Sequence, residues 1–198
     1  MTTLVDPLFF QELAAAAPHD VCRRALCRYD AGNRCYRVSV WGDEYAVCAH
    51  ESEIRCLENT SGAPHAYREL FIVHYLLHAK AVAPRHVWIS EKDIPGGATF
   101  FRGPHEIPTH LITRRYGDDI DAFASGCRRL KGEPLDMADA AFVFLAAPRV
   151  PLAVLYFRGD DEFAAESRLL FDSSIIDHLA ADIVYALAVD ACERLCAF

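Results

Sequence analysis

The sequence lacks the features that direct a protein into or across a membrane. Its amino terminus, Met1 to Pro7, has neither a basic region nor an apolar segment, so we find no secretory signal. The longest apolar run, Ala140 to Ala147, is far shorter than the roughly 20 residues that cross a bilayer. These absences predict a cytoplasmic protein without membrane contact. Because cytosolic thiols are normally kept reduced, they also predict that the eight cysteines are free thiols.

Positive charge is also scarce. Lys and Arg number 20 against 28 Asp and Glu, which gives a formal net charge of −8. Sequence-independent binding of nucleic acid needs a basic face, so this balance argues against a nucleic-acid partner. Low-complexity segments and repeats are absent too, and 53% hydrophobic with 24% charged residues is ordinary globular composition. We therefore predict a single domain over residues 1–198.

The cysteines lack the spacing of a metal site. Structural zinc sites and iron–sulfur clusters typically use Cys-x-x-Cys pairs, because two intervening residues let both sulfurs face one metal. Here Cys22 and Cys27 are separated by four residues, and Cys192 and Cys196 by three. A free cysteine commonly behaves as a small buried hydrophobe. From the sequence we therefore expect no metal, and no cofactor is evident.

Hydrophobic periodicity and turn residues divide the chain into helices and strands. Asp6-Pro7 is a helix-start signal, and Pro84 closes the clearest helix, residues 66–82. The predicted helices cover residues 8–17, 21–29, 66–82, 109–116, 120–130 and 177–196. The predicted strands cover 36–40, 44–49 and 53–57, which form a small meander, and then 87–89, 98–101, 141–146, 152–157 and 167–171.

Two of these strands, 141–146 and 152–157, are apolar throughout instead of alternating. Continuous apolarity indicates burial on both faces, so we place both strands at the centre of a sheet. Helices and strands come in blocks, without the regular alternation of a parallel Rossmann-type sheet. This pattern predicts an α+β fold in which helices pack on one face of a largely antiparallel sheet.

Several short motifs in a fixed order carry a resemblance to a known family. They are His74-Tyr75-Leu76-Leu77, Trp88, Ile94-Pro95-Gly96-Gly97, Pro148-Arg149-Val150-Pro151, Gly159-Asp160-Asp161-Glu162-Phe163 and Leu170-Phe171-Asp172-Ser173-Ser174. Together they resemble family 3786, a domain of unknown function, over nearly the whole chain. The resemblance implies a setting in strictly anaerobic bacteria and archaea, where some members carry an added iron–sulfur domain of the kind found in corrinoid proteins. It implies no activity and no catalytic residues.

Two histidines on the predicted helix 66–82 are the first candidate site. At 100° per residue, His74 and His78 fall on the apolar face, one turn apart. Two such imidazoles can bind a metal, contact a small molecule or tetrapyrrole, or bond protein groups inside the core, and all three readings stay open. Tyr75 is the third candidate ligand or pocket residue. It stands where a zincin protease has its glutamate, so the sequence does not fit a zincin.

The acidic segment Asp160, Asp161 and Glu162 is the second candidate site. Clustered carboxylates can bind a hard cation or shift one another's pKa enough for acid–base catalysis. The same residues after Gly159 are also good turn formers, and solvated carboxylates there need no partner. The pattern favours a turn.

Three classes of function are compatible with these residues. The first is an accessory protein of anaerobic metabolism that binds a tetrapyrrole or corrinoid cofactor, another small molecule or a protein partner. The second is an enzyme whose pocket lies beside helix 66–82, with a histidine as general base and a carboxylate that orients it. The third is a non-catalytic interaction module, for which we expect an exposed apolar patch and no pocket.

Overall fold

The strands of this chain form two antiparallel sheets. The computed structural model describes residues 4–58 and 65–197. The strands are β1 (Arg28–Asp30), β2 (Cys35–Val40), β3 (Asp43–Cys48), β4 (Glu53–Cys56), β5 (Trp88–Ile89), β6 (Glu133–Pro134), β7 (Ala140–Ala147), β8 (Val150–Phe157) and β9 (Glu166–Asp172). The first sheet has the order β1-β2-β3-β4, and the second has the order β5-β9-β8-β7-β6. The predicted central strands thus lie inside the second sheet, with β8 in its middle.

The helices lie before, between and after the strands. They are α1 (Pro7–Ala15), α2 (Pro18–Ala25), α3 (Ala66–His78), α4 (Gly97–Phe100), α5 (His110–Tyr116), α6 (Ile120–Arg129), α7 (Ile175–His178) and α8 (Ala181–Cys196). Short 3-10 turns occur at Ala49–Glu51, Glu91–Asp93 and Gly103–His105. As the sequence predicts, α1 begins at its cap, where the Asp6 carboxylate accepts the Leu8 backbone N–H at 2.9 Å.

Several local predictions were wrong, and helix α3 ends at His78 instead of residue 82. Residues 98–101 belong mostly to helix α4 instead of a strand, because the Gly97 N–H bonds the Ile94 carbonyl and starts a turn. The second helix ends at Ala25, since Leu26 adopts a left-handed conformation, and the chain continues as β1. The predicted closing helix is broken into α7 and α8, because Leu179 is extended.

A disulfide joins two strands of the first sheet. Tyr36 of β2 pairs with Val47 of β3, and the next residues outward, Cys35 and Cys48, are covalently bonded with their Cα atoms 4.2 Å apart. The prediction that all eight cysteines are free thiols was therefore wrong. The pairing follows from the register of the hairpin, which the separation of 13 residues does not reveal.

One face of the second sheet, the inner face, is covered by helices. Phe142 of β7 and Tyr156 of β8 pack against Phe123 of α6, with ring centroids 5.9 and 4.6 Å apart. Residues of the first sheet, such as Val38, belong to the same apolar cluster, so both sheets share one core. The prediction of an α+β fold with antiparallel pairing and helices on one face is confirmed.

A buried ion pair ties the first sheet to the helices. Asp190 of α8 accepts hydrogen bonds from the Arg68 guanidinium of α3 at 2.8–3.1 Å and from Trp41 Nε1 at 2.8 Å. Arg68 also donates to the Tyr45 hydroxyl at 3.2 Å. Burial by itself would lower the pKa of Arg68, but the hydrogen bonds that Arg68 donates to Asp190, together with the negative charge of that carboxylate, outweigh it and raise the pKa. The network therefore holds a charged pair in a site that is almost closed to water.

Candidate functional site

The second face of the second sheet, the outer face, is apolar, and no helix of the described chain belongs to its cluster. Its apolar residues lie mainly on β7 and β8, with one from β9 and one from β5: Ala141, Val143, Leu145, Ala153, Leu155, Phe157, Leu170 and Trp88. The other β9 residues on this face, Glu166 and Arg168, form an ion pair, and the Arg168 guanidinium lies 5.2 Å from the centre of the Phe157 ring. Leu145 is 55% exposed, and Val143, Phe157, Leu170 and Trp88 are half-buried. A solvated sheet face normally carries polar side chains. The outer face is instead largely apolar, and it is only partly covered: Leu135 and Met137 pack against it and Ala141, Ala153 and Leu155 are buried, but no helix lies over it among the described residues.

An acidic margin borders the outer face along β6 and the start of β7. It consists of Glu133, Asp136 and Asp139, all exposed. Glu133 lies opposite Val143 in the sheet register, and the Asp139 carboxylate accepts the backbone N–H of Arg158 at 2.8 Å. None of the three forms an ion pair with another described residue. The negative charge of this margin is therefore available to a cation outside the chain.

An open groove of about 470 Å³ lies at the opposite border of the sheet. Strand β5 pairs only with Phe171 and Asp172 of β9, and the groove runs beside the rest of β9, residues 166–170. Its other wall includes Lys92 and Ile107. No histidine is among the described residues that line it. The groove is therefore not the pocket with a histidine general base that the enzyme hypothesis predicts.

The two candidate histidines lie together but in different environments. Their ring centroids are 5.4 Å apart, and the ring of Phe9 packs edge-on against His74 at 4.3 Å. His74 is buried, whereas His78 is exposed because it is the last residue of α3. The apolar face predicted for this helix is therefore buried at His74 but not at His78. Burial and the neighbouring His78 lower the pKa of His74.

Tyr75 points away from the imidazoles, into the core. It is fully buried, and its hydroxyl donates to the Ala25 carbonyl at 2.9 Å. Burial raises the pKa of this hydroxyl. Tyr75 therefore links α3 to the end of α2, and the structure does not bring it together with His74 and His78.

The acidic segment forms an exposed turn. The Asp160 carboxylate accepts the backbone N–H groups of Glu162 and Phe163 at 2.9 and 2.8 Å, which lowers its pKa. Asp161 and Glu162 are exposed as well. This arrangement is an Asx turn of the kind that the sequence favoured. It lies far along the chain from the histidines, and no side-chain contact joins the two sets within the described residues.

A buried histidine that the sequence did not single out lies between α7 and the chain beyond α3. His178 is 2% exposed, and its Nδ1 accepts the backbone N–H of Lys80 at 3.1 Å. Its Nε2 has no hydrogen-bond partner among the described residues. Nearby, the buried carboxylate of Asp172 accepts the backbone N–H groups of Arg85, His86 and Ser174 at 2.6–2.9 Å. These contacts fix the chain between α3 and β5.

The three histidines predict a loss of stability in acid. Burial is the main cause that lowers the pKa of His74, His78 and His178 below the ordinary 6.5. The unfolded chain therefore binds more protons than the folded chain near that pH. The stability that the neutral histidines contribute to the folded state is complete above about pH 6.5, the pKa of the unfolded chain. It is lost as the pH falls through their lowered pKa values in the folded chain. We expect the free energy of unfolding from urea titrations to fall as the pH drops from about 7.5 to 5.5.

A matched pair of variants tests this assignment. His74→Leu removes a buried titrating ring and should flatten the pH dependence. His19→Leu, at a side chain that is 91% exposed, should leave it unchanged. Equal slopes for wild type and His74→Leu would show that His74 does not carry the effect.

One sequence family matches most of the chain. Residues 17–194 match the family described as a domain of unknown function, DUF3786. The chain belongs to this family. Neither the curated proteins nor the solved structures contain a match. Membership in DUF3786 therefore confirms the resemblance carried by the motifs but adds no activity, substrate or partner.

Within the described part of this DUF3786 chain, no three or more His, Cys, Asp or Glu side chains are grouped as a metal site would need. The helices of that part are likewise too short or too polar to cross a membrane. The DUF3786 motifs are themselves largely structural here: Asp172 and Ser174 are buried and hydrogen-bonded to each other, and Arg149 donates to the carbonyls of Arg24 and Val82.

Sequence reasoning did not find the outer face. The run Ala140 to Ala147 indicated burial on both sides, and periodicity cannot say whether a layer of the same chain supplies the second cover. The acidic margin and the apolar side chains also come from distant segments, so only the register of β6, β7 and β8 brings them together.

Proposed function

We propose that this chain is a non-catalytic protein-binding module, and that its outer face binds an amphipathic helix of a partner protein. One observation carries the proposal: the inner face is packed by helices, while the largely apolar outer face has none among the described residues. An exposed contiguous apolar patch on a folded domain commonly marks an interaction site. A helix is the element that completes a helix–sheet–helix arrangement.

The dimensions of the outer face suit one helix. Three strands spaced by about 4.8 Å make a strip about 14 Å wide, and eight residues at about 3.3 Å extend about 26 Å. An α-helix with side chains is about 10–12 Å across, and about 18 residues give a length of roughly 27 Å. Leu145, the most exposed side chain of the strip, lies near one end and would contact such a helix directly.

Charge defines the partner further. The acidic margin of Glu133, Asp136 and Asp139 is unpaired along one border, and the whole chain carries a net charge of −8. A helix with Lys or Arg beside its apolar stripe would place positive charge on this margin. Such pairs steer association and select partners more than they add affinity. The proposed partner is therefore a protein that presents a basic amphipathic helix.

The finer expectations from the sequence belong to the same proposal. A cytoplasmic location and a setting in anaerobic metabolism make the partner a cytoplasmic protein of that metabolism. A tetrapyrrole or corrinoid would then be bound by the partner instead of this chain. The alternative of an enzyme with a pocket beside α3 receives less support, because His78 is exposed and Tyr75 is turned away.

Two synthetic peptides test the proposal by fluorescence anisotropy. Each is an 18-residue amphipathic helix with a leucine stripe, flanked by lysine in one peptide and by glutamate in the other. We expect the lysine peptide to bind the wild-type chain, and the glutamate peptide to bind at least about tenfold more weakly, because a difference of 1.4 kcal/mol in charge interaction suffices. Leu145→Glu should abolish binding, and Glu133→Lys should weaken it.

Leu8→Glu is the matched control, since Leu8 is 60% exposed on α1 and lies outside the outer face. It should bind the lysine peptide as the wild type does. Equal binding by Leu145→Glu would place the interaction elsewhere and refute the proposal. Light scattering tests the alternative that the outer face binds a second copy of the chain. A wild-type dimer that becomes a monomer in Leu145→Glu would support that alternative.

A further inference from the structure

One edge of β9 has no neighbouring strand along most of its length. Strand β5 pairs with only the last two residues of β9, and residues 166–170 border the open groove instead. The chain leaves β5 after Ile89. There the Asp93 carboxylate accepts the N–H and the hydroxyl of Ser90 at 2.9 and 2.7 Å, and this cap begins a 3-10 turn. The place that a longer β5 would take beside β9 is therefore open in the described chain.

The strand register shows which backbone groups face this groove. In an antiparallel ladder, the N–H and the carbonyl of one residue point to the same side, and successive residues alternate. The Ser173 N–H bonds the Val87 carbonyl at 2.8 Å, so the odd-numbered residues of β9 point toward the side of β5. Ser167 and Leu169 therefore direct their N–H and carbonyl groups toward the groove. No backbone or side-chain group of the described chain bonds them there.

Unpaired donors and acceptors along a strand edge are a template for another strand. Ser167 and Leu169 are only 4 and 3% exposed, so their unpaired backbone groups have little contact with water. More than about 90% of such buried groups are paired in folded proteins. We propose that this edge binds an extended segment of a partner protein, which pairs with β9 as an added antiparallel strand. Main-chain hydrogen bonds then supply the affinity, and the side chains that line the groove supply the specificity.

The charges of the groove restrict the sequence of this segment. Glu166 forms an ion pair with Arg168. Of the other charged residues that line the groove, Glu91 and Glu106 outnumber Lys92, and neither of these two carboxylates forms an ion pair within the described chain. A strand that continues the line of β5 starts beside Glu91 and ends opposite Glu166. Lysine or arginine at both ends of the segment therefore meets a carboxylate.

The two sides of the groove restrict the middle of the segment. The residues opposite Leu169 and Ser167 lie on the inner side of β9. Phe101 and Ile107 line the groove there and pack with the core, so apolar side chains suit these two positions. The residue between them lies opposite Arg168 on the outer face and should be polar without positive charge. The segment thus has the pattern basic–apolar–polar–apolar–basic, and its five residues at about 3.3 Å each cover the free edge.

A blocked peptide with the sequence lysine-valine-threonine-valine-lysine tests the site in the full chain. Titration into isotope-labelled protein, followed by NMR, should shift the amide signals of Ser167 and Leu169 most. An ester oxygen in place of the N–H of both valines removes the donors to β9 and should weaken binding by at least about tenfold. The same replacement at the threonine, whose N–H points away from β9, should change binding by less than about twofold. Equal binding of all three peptides would overturn the proposal.

Two variants of one residue remove the donor on the protein side. Ser167→Pro deletes the N–H that faces the groove without a loss of ladder bonds to β8, and proline is tolerated on the free side of an edge strand. Ser167→Ala keeps that N–H and loses only the hydroxyl bond to the Leu155 carbonyl. We expect Ser167→Pro to weaken peptide binding by at least about threefold and Ser167→Ala to bind as the wild type does. If melting curves show that Ser167→Pro is unfolded, the ester peptides decide.

Variants at other positions complete the test. Glu91→Lys should weaken peptide binding, whereas Glu51→Lys, at an exposed glutamate of the first 3-10 turn, should not. Leu145→Glu should also leave binding unchanged, because β7 lies two strands away from the free edge of β9. Equal losses in Glu91→Lys and Glu51→Lys would contradict the assigned charge contact. A wild-type dimer that Ser167→Pro converts to a monomer would assign the edge to a second copy of the chain and overturn the partner assignment.

Discussion

Replacing Asp190 with alanine is expected to lower the free energy of unfolding by about 3–5 kcal/mol, the usual cost of removing one partner of a buried ion pair. Asp190 is 1% exposed, and the Arg68 side chain that it binds is 14% exposed. The variant leaves the guanidinium and the Trp41 indole N–H buried without their acceptor. Urea denaturation followed by circular dichroism measures the loss, with an unchanged m-value as evidence of two-state unfolding.

Two further variants show whether the loss comes from the unpaired charge. Asp161→Ala, at an exposed aspartate of the turn that follows β8, should change stability by less than about 0.5 kcal/mol. The double variant Arg68→Met with Asp190→Leu should be more stable than Asp190→Ala, because no charge stays buried. A loss below about 1 kcal/mol for Asp190→Ala would mean that water reaches the pair.

Phe144→Ala is expected to cost about 3–5 kcal/mol, because it removes a large ring from the core and leaves a cavity. Phe144 lies on the inner face of β7 and is almost fully buried, with its ring 5.9 Å from that of Trp41. The backbone at Gly132 approaches so closely that a Cβ there would lie 2.7 Å from the phenyl ring. Such close surroundings relax only partly around a cavity.

The adjacent residue supplies the matched control. Leu145 lies on the outer face, and Leu145→Ala should cost less than about 1 kcal/mol because its side chain is largely solvated in the free chain. Thermal or urea unfolding of both variants gives the comparison. Similar losses for Phe144→Ala and Leu145→Ala would show that both faces of the sheet are packed in solution.

The elements with a strong pattern could be predicted from the sequence. The three long strands of the second sheet and the meander of the first were located within one or two residues, since continuous or alternating apolarity is distinctive there. Helix α3 was predicted to continue to residue 82 but ends at His78. Tertiary contacts explain the difference: Arg24 binds the carbonyls of Leu77 and Ala79, and His178 binds the Lys80 N–H.

The candidate site was harder to predict, because it depends on contacts between segments that are distant in the sequence. A helical projection places His74 and His78 on one face, but it does not show where the core ends. The open edge of β9 depends on the cap at Ser90, which ends β5 after two residues. The disulfide and the acidic margin both result from strand register, which is a property of the folded sheet.

The buried ion pair also limits how far the chain can fold while it is being synthesised. Arg68 emerges from the ribosome 122 residues ahead of Asp190, and Trp41 emerges 149 residues ahead of it. At translation rates of about 5–20 residues per second, Asp190 is synthesised about 6–24 s after Arg68. Until α8 is synthesised, the Arg68 guanidinium and the Trp41 indole N–H lack the carboxylate that accepts their hydrogen bonds. We therefore expect a nascent chain that stalls before α8 to expose the side of α3 that packs against α8 and to be prone to aggregation.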